Sequence, residues 1–341
     1  VGEGVEPDRV GERVLIEPSL TEIAGERLET PWYFGSECDV GFAQYTRVAS
    51  RHAHQVDSAL SDVELASFPC SYSTAENMLT RAAVGRGDRV LVTGASGGVG
   101  SAAIQLAAAR GALVDALTSP AKFAHLAKLG AQRTFARDAD LLNDPGRQSY
   151  DVVIDLVGGP GWPVLLKVLK RNGRYAVSGA IGGHGVELDL RTLYLKDLSL
   201  FGCTVLGEGV FAGLVERIES GQIRPLVAET FPLERIAQAQ DLFQQKGHVG
   251  KIVLEVFGDW NSPIMPIMLY NPAKIAAFSR ECFKRGLAVV VVGFPATPLV
   301  LSRARFCISA GHSREDLRKA LVTIGEVARL LRLRYRTHTL G

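Results

Sequence analysis

The chain has 341 residues, 47% hydrophobic and 22% charged, with 38 Lys+Arg against 36 Asp+Glu for a net charge of +2. That leaves room for two ordinary domains and excludes both a disordered chain and a strongly basic nucleic-acid binder. The five cysteines form no C-x-x-C pair, which points to a reducing, cytoplasmic setting. No apolar run nears the ~20 residues that cross a bilayer, which argues against a membrane protein. The opening VGEGVEPDRVGERV carries no secretory signal and no initiator Met, as in a trimmed or partial chain.

Residues 1–60 predict short strands broken by Gly, Pro and Asp, among them Arg13–Glu17 and Gly41–Val48. From Asp62 to Ala82 the pattern predicts a helix, with Leu65, Phe68, Tyr72, Ala75 and Leu79 near helical spacing. Strands are then expected at Arg89–Thr93, Ala112–Thr118, Arg133–Ala136, Asp151–Leu156, Arg174–Ser178 and Leu198–Thr204. Helical stretches such as Val99–Arg110, Ala121–Leu129 and Trp162–Lys170 separate them. This alternation predicts an α/β fold, a doubly wound parallel sheet with helices on both faces. Helices at Val210–Ser220 and Leu233–Lys246 and a strand at Gly250–Val256 close this part. Phe257–Pro263 is turn-rich and marks a seam, where limited proteolysis is expected to cut. Beyond it come Ile264–Tyr270, a helix at Pro272–Arg285, strands at Ala288–Val292 and Arg305–Ala310, and a helix at Arg314–Leu333.

The segment Arg89–Gly100, RVLVTGASGGVG, carries the most chemistry. A strand that delivers a Gly-rich turn to a helix N-terminus can hold a dinucleotide pyrophosphate on free backbone N–H groups. Aligned on its end, the fingerprint reads Ala95, Gly97 and Gly100, with Gly98 and Val99 between them. The same glycines would also serve an ordinary tight turn. In this geometry an acid at the tip of the next strand holds the ribose of NAD. Here the strand ends in Thr118-Ser119-Pro120, and Asp115 lies ~10 Å back along it. Ser119 and Lys122 offer a hydroxyl and a cation instead, so NADP(H) is expected over NAD(H); a capping serine and a solvated lysine are the plainer readings.

Residues 1–256 resemble the medium-chain dehydrogenase/reductase superfamily, in particular its zinc-free, quinone-oxidoreductase-like branch. The matching stretches include VGRGDRVLVTGASGGVGSAAIQLA, YDVVIDLVGG, NGRYAVSGAI and HVGKIVLEV, in the family's order. The resemblance implies a partial GroES-like substrate domain (1–60), missing its opening strands. A Rossmann domain with its leading helix follows (61–246), then a strand returning to the GroES-like part and the seam (247–257). It also implies that Gly158 and the Gly179-Ala180-Ile181 turn pass under the nicotinamide ribose. Thr74 would touch the carboxamide, and Lys251 matches the GKIVL lysine. Small-molecule substrates of the branch are quinones, enones and related carbonyl compounds, and the resemblance leaves room for a homodimer.

Residues 258–341 are similar to the C-terminal subdomain of the serine palmitoyltransferase long-chain-base subunit, an α-oxoamine synthase. The likeness rests on SPIMPIMLYNPAKIAAFSRECFKRGLAVVVVGFPATP and SRARFCISAGHSREDL. In that family an arginine at the position of Arg303 or Arg305 pairs with the substrate carboxylate; without the pyridoxal phosphate pocket, a surface salt bridge or an unpaired charge is the plainer reading. The cofactor lysine segment is missing, so no pyridoxal phosphate is expected. The two halves suggest no single function; a chimera is the expectation, with a natural appended interaction module as the competing reading. The alternative to an NADPH-dependent oxidoreductase, itself impaired if truncated, is therefore an inactive nucleotide-binding partner protein.

Cys70 falls where zinc-dependent relatives place a ligand, but His52 and His54 read as exposed loop residues and no tetrahedral set emerges. Neither zinc nor another metal is expected, and Cys70 reads as buried and structural. Tyr72 could donate a proton to substrate; a packing role on an amphipathic helix is its plainer reading.

Overall fold

The computed structural model describes residues 2, 4–23, 25–38, 41–42, 46–245, 247–256, 264–268, 272–292, 303–307, 313–331 and 333. It divides into two units, Val1–Val256 and Phe257–Gly341. The seam at Phe257–Pro263 lies outside the described residues.

The first unit is built on a six-stranded, all-parallel sheet. Its strands are β5 (Arg89–Val92), β6 (Leu113–Thr118), β7 (Ala131–Ala136), β8 (Tyr150–Asp155), β9 (Leu169–Val177) and β10 (Ser199–Gly202), in the order β10-β9-β8-β5-β6-β7. The order reverses between β5 and β8, and that is where open parallel sheets bind ligands. Alternation sorts the side chains to the two faces. Val90 and Val92 of β5 join Val152 and Ile154 of β8 in one core, beneath α2 (Pro69–Arg81) and α3 (Gly98–Ala109). Leu91 and Val153 point the other way, to Trp162, Leu165 and Leu166 of α5 (Trp162–Val168). Ala102, Ala103 and Ala107 let α3 lie close to its neighbours, while fully buried Ile104 and Leu106 each contribute about 1.5–3 kcal/mol.

Three predicted elements change at their edges. The single helix over 62–82 is two, α1 (Asp62–Ala66) and α2, because Pro69 has no N–H with which to continue the ladder. The helix over 162–170 stops at Val168, because Leu169 pairs with Tyr150 and opens β9. No strand forms among the described residues of Gly41–Val48. Outside the large sheet, β1 (Val14–Ile16) pairs antiparallel with β4 (Ala53–Gln55), and β2 (Ser19–Ile23) with β3 (Glu26–Tyr33). A short helix α4 (Phe123–Lys128) follows β6, and α6 (Leu190–Tyr194) precedes β10. Beyond β10, α7 (Val210–Glu219) and α8 (Ile236–Gln245) flank β11 (Val227–Pro232), which pairs parallel with β12 (Lys251–Glu255).

Glu76 of α2 joins three helices. Its Oε1 accepts from Arg110 (2.7 Å), just past α3, and from Arg217 of α7 (3.3 Å), and Glu76 is 5% exposed. Removing one partner of such a network leaves buried charge uncompensated. Glu76→Ala is therefore expected to cost about 3–5 kcal/mol in urea unfolding, with Glu76→Gln milder.

In the second unit β13 (Ile264–Met268), β15 (Arg303–Cys307) and β14 (Val290–Val292) form an antiparallel sheet in that order. It is accompanied by α9 (Pro272–Lys284) and α10 (Arg314–Leu330), and Phe278, Cys282, Ala304 and Val327 form its core. Ser313 and Asp316 close a capping box at the start of α10. Arg303 and Arg305 lie on β15, and their side chains fall outside the description.

Candidate functional site: a glycine-lined edge with a desolvated lysine

The turn after β5 enters α3 through Gly97, which caps the helix without any side-chain hydrogen bond. The first N–H groups of α3 therefore face outward for an anion, reinforced by the helix dipole. A Cβ on Gly100 would stand 2.5 Å from the Gly94 carbonyl and 2.7 Å from Ala95 Cα, so only glycine lets the helix pack on its own turn. Ala95 is fully buried. Thr118 at the tip of β6 donates to Ser96 at 3.0 Å, which ties this turn to the next strand.

The turns after β8 and β9 lie against each other. Gly158 and Gly183 form a β-bridge, and Gly182 N–H donates to the Val157 carbonyl at 2.7 Å. Asp155 holds this corner from below. Its Oδ1 accepts from Thr93 (2.5 Å), from Val157 N–H (2.9 Å) and from Gly158 N–H, while Tyr175 donates to its Oδ2. Burial, with the carboxylate beside it, pushes the Tyr175 hydroxyl well above the usual phenol range. Gly179, Ala180 and Ile181 follow at the sheet's edge, with Ile181 exposed.

Lys251 opens β12. Gly250 before it adopts φ +101°, and a Cβ there would lie 2.5 Å from the Leu226 carbonyl. That turn sends Lys251 back to the glycine loop, where its Nζ comes within 2.8 Å of the position a Cβ on Gly98 would take. Burial lowers the ammonium pKa, opposed in part by the Cys70 thiol. Cys70, Lys251, Ser67, Phe42 and Leu254 line a cleft of about 250 Å³. Thr74 stands one turn along α2 from Cys70 and donates to its carbonyl at 2.7 Å.

Ser119 starts a 3-10 turn, Pro120–Lys122, and Lys122 Nζ donates to the His248 carbonyl at 3.2 Å. Asp115 is 2% exposed and accepts from Tyr150 (2.8 Å) and Arg89 (3.3 Å), so its carboxylate is committed inside the fold.

Two expectations, for Cys70 and His52, are corrected, and Tyr72 takes the plainer of its two readings. Tyr72 is buried, and its hydroxyl donates to the Arg224 carbonyl (2.7 Å) and accepts from Gln105 (2.9 Å). It packs helices together and is not an available acid. Burial also pushes it above the usual phenol range. Cys70 is exposed, not buried. His52 is 2% exposed, not a loop residue facing water, and shares Glu17 Oε2 with His54, at 3.4 and 3.2 Å. Burial works to raise Glu17, but the hydrogen bonds from both rings prevail and hold it at about 2. Sequence reasoning passed over Asp155, although an acid three residues before Gly158 is the spacing for a carboxylate that folds back on the following N–H groups.

A family model described as zinc-binding dehydrogenase matches residues 129–254. The crystal structure of a candidate alcohol dehydrogenase from Sinorhizobium meliloti 1021 is 46% identical, with a TM-score of 0.69, over 75% of this chain and 73% of that one. The chain belongs to the medium-chain dehydrogenase/reductase family. A cobalt- and zinc-bound thermostable alcohol dehydrogenase from Pyrobaculum aerophilum is 29% identical over 74% of this chain and 78% of its own, with a TM-score of 0.65. Members of this family are oxidoreductases that use nicotinamide cofactors. Long chain base biosynthesis protein 2b of Arabidopsis thaliana is 59% identical over 103 residues, 30% of this chain. The chain spans about a fifth, 21%, of that relative. Zinc does not fit the donors present. Among the described residues no group of three or more His, Cys, Asp or Glu side chains is arranged to hold a metal ion, and the neighbour of Cys70 is an ammonium.

Proposed function

We propose that this medium-chain dehydrogenase/reductase binds NADP(H) along the carboxyl edge of its sheet and reduces a quinone, enone or other activated double bond. The observation that carries the reading is the meeting of an uncapped α3 with the Lys251 ammonium at Gly98, a cradle for a pyrophosphate. Gly97, Gly98, Val99 and Gly100 would hold the phosphates with Lys251, and Ala95 would sit beneath them. The turns at Gly158 and at Gly179, Ala180 and Ile181 would support the nicotinamide ribose, with Thr74 near the carboxamide. A bound nicotinamide supplies the hydride. The chain's part is to hold the ring against the substrate and to keep water away from it, with no acid assigned.

The 2′-phosphate would meet Ser119 and Lys122. NADPH is expected to bind at least tenfold more tightly than NADH by fluorescence titration, and Lys122→Ala to erase most of that difference. Equal or tighter NADH binding would overturn the preference. Oxidation of NADPH on adding a quinone or an enone tests the activity. The 59% likeness of 103 residues to a long chain base biosynthesis protein favours a second reading, a nucleotide-binding partner protein without turnover. Cofactor binding with no oxidation of NADPH by any acceptor would select it.

A second copy of the chain completes the proposal. Strand β10 ends the sheet among the described residues, and exposed Leu190, Tyr194, Leu195 and Leu200 lie on it or just before it. Such an edge invites pairing. Light scattering after gel filtration is expected to read a dimer, and Leu200→Lys a monomer.

A further inference from the structure

The tip of β6 holds more than the serine and lysine that its spacing singles out. The bond from Lys122 to the His248 carbonyl draws the segment before Lys251 across this tip. Lys122 caps α4, and His125 lies three residues on, in the first turn of that helix. Each of the two imidazoles keeps one ring nitrogen buried and without a hydrogen-bond partner, His125 Nε2 and His248 Nδ1. The His248 ring stands beside Phe243, with centroids 5.9 Å apart. A buried polar atom left in this state costs about 1–3 kcal/mol, and such atoms are rare enough to ask what would satisfy them.

We propose that His125 and His248 complete a phosphate-monoester subsite with Ser119 and Lys122, which reads the 2′-phosphate of NADP(H). This rests on the NADP(H) reading above and extends it to two residues outside the glycine fingerprint. The chemistry matches in number. A phosphate monoester presents three strong acceptor oxygens. The hydroxyl, the ammonium and one N–H from each ring are donors enough to cover them, and a neutral imidazole already carries the N–H required. Because His248 lies three residues before Lys251, one short segment reaches two parts of the dinucleotide, with the pyrophosphate at one end and the 2′-phosphate at the other.

Calorimetric titration of the full chain with NADPH, NADH, 2′,5′-ADP and 5′-AMP tests this. His125→Ala and His248→Ala are each expected to weaken NADPH and 2′,5′-ADP by about tenfold, and the double variant by about a hundredfold, with NADH and 5′-AMP held within twofold. Unchanged NADH affinity certifies the fold of each variant. Equal weakening of NADPH and NADH, or no change in either, overturns the assignment of the two histidines. A wild-type chain that binds NADH as tightly as NADPH overturns the NADP(H) reading itself, and the subsite with it. Should an alanine variant fail to fold, the histidine ring resonances of the wild-type chain decide. Both are expected to move on adding 2′,5′-ADP and to stay in place with 5′-AMP, and two rings unmoved by 2′,5′-ADP refute the subsite.

Discussion

Gly100→Ala is expected to lose dinucleotide binding by about a hundredfold or more and to lower the melting temperature by several degrees. The added carbon would meet the Gly94 carbonyl at 2.5 Å and Ala95 at 2.7 and 2.9 Å, all backbone, with no flexible side chain to move aside. Overpacking of this kind costs about 1–3 kcal/mol, against a gain of at most about 1 kcal/mol from alanine's better helix propensity. The clash prevails, and its relief moves the turn that would receive the pyrophosphate. Gly97→Ala is the control. Its Cβ finds only the Gly94 carbonyl, at 3.3 Å, in an ordinary backbone conformation. Near wild-type melting is expected there, so any loss of binding reports ligand approach alone. A Gly100→Ala protein with wild-type melting and affinity would refute the tight-packing account.

Lys251→Met is expected to act in the opposite sense on the empty and the bound protein. NADPH and NADH should weaken together, by about ten- to a hundredfold, since both carry the pyrophosphate and charge-assisted hydrogen bonds are worth about 1.5–3 kcal/mol. The empty protein should melt no lower than wild type, because the substitution removes a desolvated ammonium that has no hydrogen-bond partner among the described residues. The pH dependence follows from the same burial. The folded chain holds this proton less tightly than the unfolded chain, so between the lowered pKa and the ordinary value of 10.5 the unfolded state binds more protons. Stability therefore rises with pH across that window, and Lys251→Met should flatten the rise. A bound pyrophosphate restores the proton, so cofactor binding in the window should take protons up, measurable by calorimetry in buffers of different ionisation enthalpy. Proton uptake unchanged in the variant would count against the lysine.

What could be read from the residues follows the reach of the interactions. Arg89–Gly100 is strand, turn and helix in one continuous stretch, so spacing and composition suffice to place it. The same holds for Asp115, whose distance from the strand tip already removes it from the ribose, and whose burial with Tyr150 gives the reason. The approach of Lys251 to Gly98 joins residues far apart in the chain, and nothing local announces it; only the family resemblance pointed to the lysine. Tyr72 shows the converse. Its helix was legible, but the carbonyl of Arg224 that takes its hydroxyl comes from a distant segment. Strands β2 and β3 fall within the stretch read as short strands, though their bounds could not be placed, and β11 escaped notice because it alternates poorly. The eight residues of β3 include Pro31, tolerable only in a strand with a free edge, and β11 is partly buried along most of its length. Glu17 was likewise beyond sequence reading, since its two imidazole partners arrive from the far side of a hairpin.

The turn at Gly250 bears on how this chain could be joined to another. A Rossmann cassette cut out at Lys246 would keep every glycine loop of the sheet and yet lose the ammonium beside Gly98. On the dinucleotide reading proposed above, recombination upstream of Gly250 is expected to weaken dinucleotide binding. Recombination after Glu255, the last residue of β12, leaves the set entire. The boundary between the two units falls after Val256, on the permissive side of that line.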